Sequence, residues 1–211
     1  MQVLKETTSY RASLRGRIIE CAMQEFAKHG IRGVRMDDIA SALGISKRTL
    51  YEIFEDKETL LFEGVKVYEQ RKKEMLKEYS EAGHHVMDII LEAYRMKMEE
   101  VRAVNPAFYI DLVKYPKLEL HMKENKLHTH DDFIAFMQRG VEEGFLRPDV
   151  NYDMIPHMFD AIGQYILSNQ LIQKYSIEEL FSNYFLTALR GLCTEEGIRL
   201  IDEVVSNTKT Q

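Results

Sequence analysis

Apolar residues recur at helical spacing through almost the whole chain. Leu14, Ile18, Ala22 and Phe26 fall every four residues, with Ile19 and Met23 beside them. That pattern predicts an amphipathic helix that starts near Ser13 and stops at His29-Gly30. Met36, Ile39, Ala40 and Leu43 share one face of a short second helix, which Gly44 ends. Ser46 is placed to cap a third, whose Leu50, Ile53 and Phe54 turn inward. Asp56 is placed to cap a fourth helix, from Lys57 to about Tyr79, and a fifth follows from Val86 to about Val101. Asn105-Pro106 and Tyr115-Pro116 bracket a short helix from Ala107 to Val113, because the residue before proline is pushed away from helix. A long helical pattern runs from Lys117 to Glu143, and Gly144 to Asp149 reads as a loop. Asp153 is placed to cap the next helix, and Ser176 with Glu179 forms a capping box ahead of the last one. Period-2 runs are scarce, so the expected fold class is all-α.

The loop and helix between Arg35 and Leu61 carry the most specific pattern. Once Leu50 and Phe54 face inward, Lys47, Arg48, Thr49 and Tyr51 are left outside. Two short helices joined by a tight turn, the second presenting cations, form a helix-turn-helix that places its second helix in the DNA major groove. Lys47, Arg48 and Thr49 sit at the front of that helix as candidate base readers, and an arginine can pair bidentately with guanine. Arg15, Arg35 and Ser46 are candidates for phosphate contacts, as is Lys57 at the start of the fourth helix.

Charge refines this picture. The net charge of −6 is unusual for a DNA binder, but residues 1–73 hold 14 basic and 11 acidic side chains, a balance of +3, and the remainder is acidic. The positive excess lies at the helix-turn-helix end. Cys21 and Cys193 are far apart at apolar helical positions and read as reduced thiols rather than a disulfide or a metal site. His121, His128 and His130 are spaced seven and two apart, which does not place them on one helical face, so no metal and no cofactor is expected. No apolar run approaches a membrane span, and the first ten residues lack the apolar core of a signal peptide. The expected location is the cytoplasm, at the nucleoid when bound to DNA. No catalytic grouping stands out, so an enzyme is not expected.

The N-terminal pattern Arg15-x-x-Ile18-Ile19-x-x-Ala22-x-x-x-Phe26-x-x-x-Gly30, continued by Met36-Asp-Asp-Ile39-Ala40-x-x-Leu43-Gly44-Ile45-Ser46-Lys-Arg-Thr-Leu50-Tyr51-x-x-Phe54-x-x-Lys57-Glu-x-Leu60, resembles the TetR family of bacterial transcriptional regulators. The resemblance implies an all-α homodimer of about nine helices per subunit. Its implied organisation is a flexible arm (1–10), a helix-turn-helix head (11–56), a connecting helix (57–80) and a ligand-binding and dimerisation body (81–211). Tyr51 matches the family's phosphate-contacting tyrosine. The family usually has threonine or serine where this chain has Arg35, so the cap of the second helix is left open between Asp37 and water.

In the body, the resemblance implies an apolar effector pocket, for which Tyr94, Met98, Phe108, Tyr109, Leu112, Met122, Phe133, Met137, Phe159 and Tyr165 are the candidates. The two late helices show apolar arcs wider than one contact needs. Ile162, Ile166, Phe181, Tyr184, Phe185 and Ala188 are accordingly expected at a homodimer interface. The expected function is a DNA-binding regulator, a repressor released from a near-palindromic operator by a small, mostly apolar effector. The alternative is a DNA-bound factor that works through protein contacts without a ligand.

Overall fold

The computed structural model describes residues 2–118, 120–121 and 130–208. The described residues are all helical in architecture. They form α1 (Gln2–His29), α2 (Met36–Leu43), α3 (Lys47–Ile53), α4 (Lys57–Glu81), α5 (Val86–Ala103), α6 (Pro106–Leu112), α7 (His130–Glu142), α8 (Met154–Ser168), α9 (Ile177–Leu192) and α10 (Glu195–Thr208). A 3-10 turn lies at Leu171–Gln173, and residues 116–118 and 120–121 are also helical. Among the described residues the only β-type pairing is an isolated bridge between Leu146 and Cys193.

The chain divides into two compact units. The first comprises residues 1–73 and 103–122, and the second comprises 74–102 and 123–211. This division departs from the expected one: α6 and the residues around it, expected in the body, belong with the head.

In the first unit α1, α2, α3 and the first half of α4 enclose an apolar core. Ile18, Ala22, Phe26, Ile39, Leu50 and Phe54, expected inward from their spacing, are all essentially buried. Gly64 marks where α4 meets α1, since a Cβ there would lie 2.5 Å from Met23 Sδ. From α6, Phe108 enters the same core, with Tyr109 and Leu112 packed against it. Asn105 makes the joint between α6 and α1. Its backbone N–H donates to Ala27 O at 2.7 Å and its side-chain amide donates to Lys28 O at 3.1 Å. Its side-chain oxygen accepts the Ala107 N–H at 2.9 Å. One residue, through its backbone N–H and its side chain, thus satisfies open carbonyls at the end of α1 and an open N–H at the start of α6.

In the second unit the N-terminus of α5 is held by Glu143, whose Oε2 accepts the Val86 N–H at 2.6 Å. Arg139 pairs with Glu143 at 2.7 Å and donates to the His84 carbonyl. Leu146 is buried in this unit, and the close approach of its side chain leaves no room for a Cβ at Gly140. The Arg147 N–H donates to Leu192 O at 2.9 Å and the Thr194 N–H donates to Phe145 O at 3.0 Å. These bonds end α9 and start α10, a helix the sequence pattern did not separate from its predecessor.

Helix boundaries follow local chemistry where a cap is present. Gly30 and Gly44 adopt φ values of 74° and 64°, the left-handed conformation that their helix ends require. Ser176 and Glu179 form the expected capping box. Asp153, expected to cap α8, pairs with His130 at 3.1 Å. At the N-terminus α1 continues back to Gln2 through the residues expected to form an arm. Residues 2–12 contain neither glycine nor proline, and extending an existing helix costs far less than starting one. No helix among the described residues is long and apolar enough to cross a membrane.

Candidate nucleic-acid interface

The turn between α2 and α3 is built by two caps. Gly44 turns the chain, and its N–H donates to Ser41 O at 3.1 Å. Ser46 then caps α3, its Oγ accepting the Thr49 N–H at 3.1 Å. The Thr49 hydroxyl lies 2.8 Å from Ser46 Oγ, so these two candidates form one hydrogen-bonded unit at the tip of the helix. Leu50 and Phe54 anchor α3 in the core. Their burial leaves the opposite face outside, with Lys47, Arg48 and Tyr51 all exposed and Tyr51 at 49%.

The open question at Arg35 has a clear geometric answer. Arg35 takes extended backbone angles ahead of α2, and its N–H donates to Asp38 Oδ2 at 2.7 Å. Asp38, three residues on, supplies the returning half of a capping box. Asp37, considered for the cap from the sequence, pairs instead with Lys47 at 2.5 Å. The Arg35 side chain is exposed.

Two residues expected to contact phosphate are engaged by groups of their own chain. Lys57 Nζ donates to Ile31 O and to Val34 O, both at 2.9 Å. Its ammonium therefore ties the loop between α1 and α2 to the start of α4. Burial holds the Lys57 amine below its ordinary value, with nearby Asp111 opposing that shift. The carbonyls of a tight loop need donors, and Lys57 reaches them before any phosphate. Arg15 pairs with Glu63 at 2.5 Å and lies 5.2 Å from the centre of the Phe54 ring. Asp56 caps α4 as expected, accepting the Thr59 N–H at 2.6 Å, and that bond lowers its carboxyl below the usual range.

Three groups of consequence were not singled out from sequence. Arg11 Nη2 donates to the main-chain carbonyl of Glu52 at 2.9 Å, linking α1 to the last turn of α3. Glu52 itself pairs with Arg48 Nε at 2.9 Å. Asp111 is the one buried charged side chain among the described residues. Its Oδ2 accepts the Arg32 N–H at 2.9 Å and its Oδ1 accepts from Lys114 at 3.1 Å. The Arg48–Glu52 pair was legible as an i, i+4 couple; the other two join residues distant in the chain.

The expected pocket residues do not form one set. Phe108, Tyr109 and Leu112 belong to the core of the first unit, because the short helix between the two prolines packs on α1. Tyr94, Met98, Phe133, Met137, Phe159 and Tyr165 belong to the second unit, and Met122 lies outside the described residues. Tyr94 and Met98 are buried, whereas Tyr165 is 58% exposed.

The expected interface residues overlap with this second group. Phe181 and Phe185 stack with each other at 5.1 Å and with Tyr94 at 5.9 and 5.8 Å, and Phe159 lies 6.0 Å from Phe185. The two phenylalanines of α9 expected to face a partner subunit thus share an aromatic cluster within their own chain. Ile162, Ile166, Tyr184 and Ala188 are partly buried. Of the three histidines, His121 contacts Glu69 at 3.0 Å, His130 contacts Asp153, and His128 lies outside the described residues.

A capped helix-turn-helix at the head of an all-α chain defines a DNA-binding regulator. Comparison with known proteins agrees. Residues 18–63 match the profile of bacterial regulatory proteins of the tetR family. The chain is 32% identical over 178 residues to the "probable acrEF/envCD operon repressor" of Escherichia coli K12, covering 80% of each chain. It is 24% identical to the HTH-type transcriptional regulator UidR of Escherichia coli K12, across 85% of this chain and 93% of the relative. The same fold occurs in a transcriptional regulator from Saccharomonospora viridis solved with choline, with a TM-score of 0.65 at 17% identity, covering 87% of this chain and all of that one. A TetR-family regulator from Cytophaga hutchinsonii gives a TM-score of 0.62 at 16% identity, covering 88% of this chain and 98% of that one. The chain belongs to the TetR family of bacterial transcriptional regulators.

Proposed function

We propose that this regulator is a homodimeric repressor, released from a near-palindromic operator by a small, mostly apolar effector. The observation that carries the reading is the tip of α3: Ser46 and Thr49 hold its first turn, and Lys47, Arg48 and Tyr51 stand exposed beside them. Lys47, Arg48 and Thr49 read base edges. Ser46, Arg35 and Tyr51 position the head on phosphates, while Arg15 and Lys57 hold the head in shape.

Two heads related by a two-fold axis require half-sites about one helical turn apart, or a multiple of it. The effector binds in the second unit, where Tyr94, Met98, Phe133, Met137 and Phe159 supply apolar lining. Release requires the effector to favour the conformation that does not fit DNA; tight binding alone shifts nothing.

Selection of bound duplexes from a random pool tests the first half, and a metabolite screen for release from the selected duplex tests the second. A two-fold symmetric motif and an apolar releasing compound are the expected results. Failure to enrich any sequence overturns the reading.

A further inference from the structure

Both cations at the front of α3 are held by carboxylates of their own chain. Arg48 Nε donates to Glu52 Oε1 at 2.9 Å, one turn further along the same face. Lys47 Nζ donates to Asp37 Oδ2 at 2.5 Å, across the turn between α2 and α3. These pairs do little for folding. The Arg48 side chain is 90% exposed and that of Glu52 53%, and exposed pairs of this kind contribute almost nothing to stability.

Their effect on DNA is larger. A duplex carries one negative charge for about every 1.7 Å of its axis, so a carboxylate on the docking face repels any sequence. Asp37 neutralises Lys47 and Glu52 neutralises Arg48 on the surface that meets the groove. They weaken the attraction that every sequence shares.

The same carboxylate shapes what remains. With Nε engaged by Glu52, Arg48 presents its two terminal nitrogens, which match the O6 and N7 acceptors of a guanine edge. The backbone beneath Glu52 is fixed as well, since Arg11 donates to its carbonyl at 2.9 Å.

We propose that Glu52 is a specificity-determining residue: it aims Arg48 at a guanine edge and repels phosphate in wrong registers, with Asp37 acting similarly on Lys47. This rests on the DNA-binding reading above. Glu52 suppresses binding to unrelated DNA more than binding to the operator, because only the operator returns a bidentate partner to Arg48.

The test uses the full-length protein and a duplex selected by the wild type. Affinities for that duplex and for an unrelated one of equal length are compared between wild type and Glu52→Gln, which keeps the shape and removes the charge. The expected result is tighter binding of the unrelated duplex and a fall of about tenfold in the ratio of the two affinities. In an Arg48→Ala background the same substitution is expected to lower that ratio far less. Thermal unfolding should be unchanged, and Glu52→Ala supplies a second variant with the same expectation. A ratio within about twofold of wild type for both variants overturns the inference while leaving the DNA-binding reading intact. A wild-type protein that selects no sequence overturns both.

Discussion

The carboxylate of Asp111 accepts the backbone N–H of Arg32 at 2.9 Å, joining α6 to the loop ahead of the helix-turn-helix across 79 positions of sequence. Burial pushes the Asp111 carboxyl up, but the Arg32 N–H and Lys114 together hold it below its ordinary value. A carboxyl lowered in the folded state contributes stability above its unfolded value of 3.8 and loses it as pH falls through the folded value. Asp111→Ala is expected to cost roughly 1–3 kcal/mol, by leaving a loop N–H without its partner. Asp111→Asn keeps an acceptor, so its loss of stability from about pH 5 to about pH 2 should be shallower than that of the wild type. Melting temperatures across that range measure both. Equal acid sensitivity in wild type and Asp111→Asn would show that this carboxylate does not stabilise the head.

Lys57 supports the same loop through Ile31 O and Val34 O. Lys57→Ala strands two carbonyls and should destabilise the protein by roughly 1–3 kcal/mol. Urea unfolding without DNA is the relevant measurement. Unchanged stability together with weaker binding to every duplex would return Lys57 to the phosphate contacts expected from sequence.

Arg48→Ala and Lys47→Ala remove exposed side chains whose loss should leave the melting temperature nearly constant. Each should broaden the selected motif, with Arg48→Ala costing about 1–3 kcal/mol of discrimination at one position of each half-site. Tyr51→Phe should weaken binding to all duplexes alike, because a phosphate contact carries no base information. An unaltered motif from Arg48→Ala would remove it from the base readers.

The two thiols should differ sharply in reactivity. Cys193 is buried, and burial pushes its thiol up to about 11. Cys21 is only partly buried, with burial again the main cause of a raised thiol. Alkylation near pH 8, followed by peptide mapping, should label Cys21 first and reach Cys193 only when the protein opens. Rapid labelling of Cys193 in the folded protein would contradict its burial between α9 and α10.

The sequence by itself determined the helix-turn-helix. Its inward face, the Gly44 turn, the Ser46 cap and the exposed Lys47, Arg48 and Tyr51 all follow from periodicity and capping chemistry within about thirty residues. Such signals are local, because each cap satisfies an N–H or a carbonyl only a few positions away.

The tertiary structure alone decided which unit α6 joins. Nothing in Ala107–Val113 distinguishes a pocket wall from a head core. Asn105 on the end of α1, Asp111 on Arg32 and Phe108 in the core make the difference, and each partner lies far along the chain. The same holds for Lys57, whose charge reads as a phosphate contact until the folded loop offers it two carbonyls. It holds again for α10, which begins where Leu146 pairs with Cys193. A side chain's type fixes what it can bond to. Only the fold brings the partner within reach, and buried polar groups must take the partner they are given.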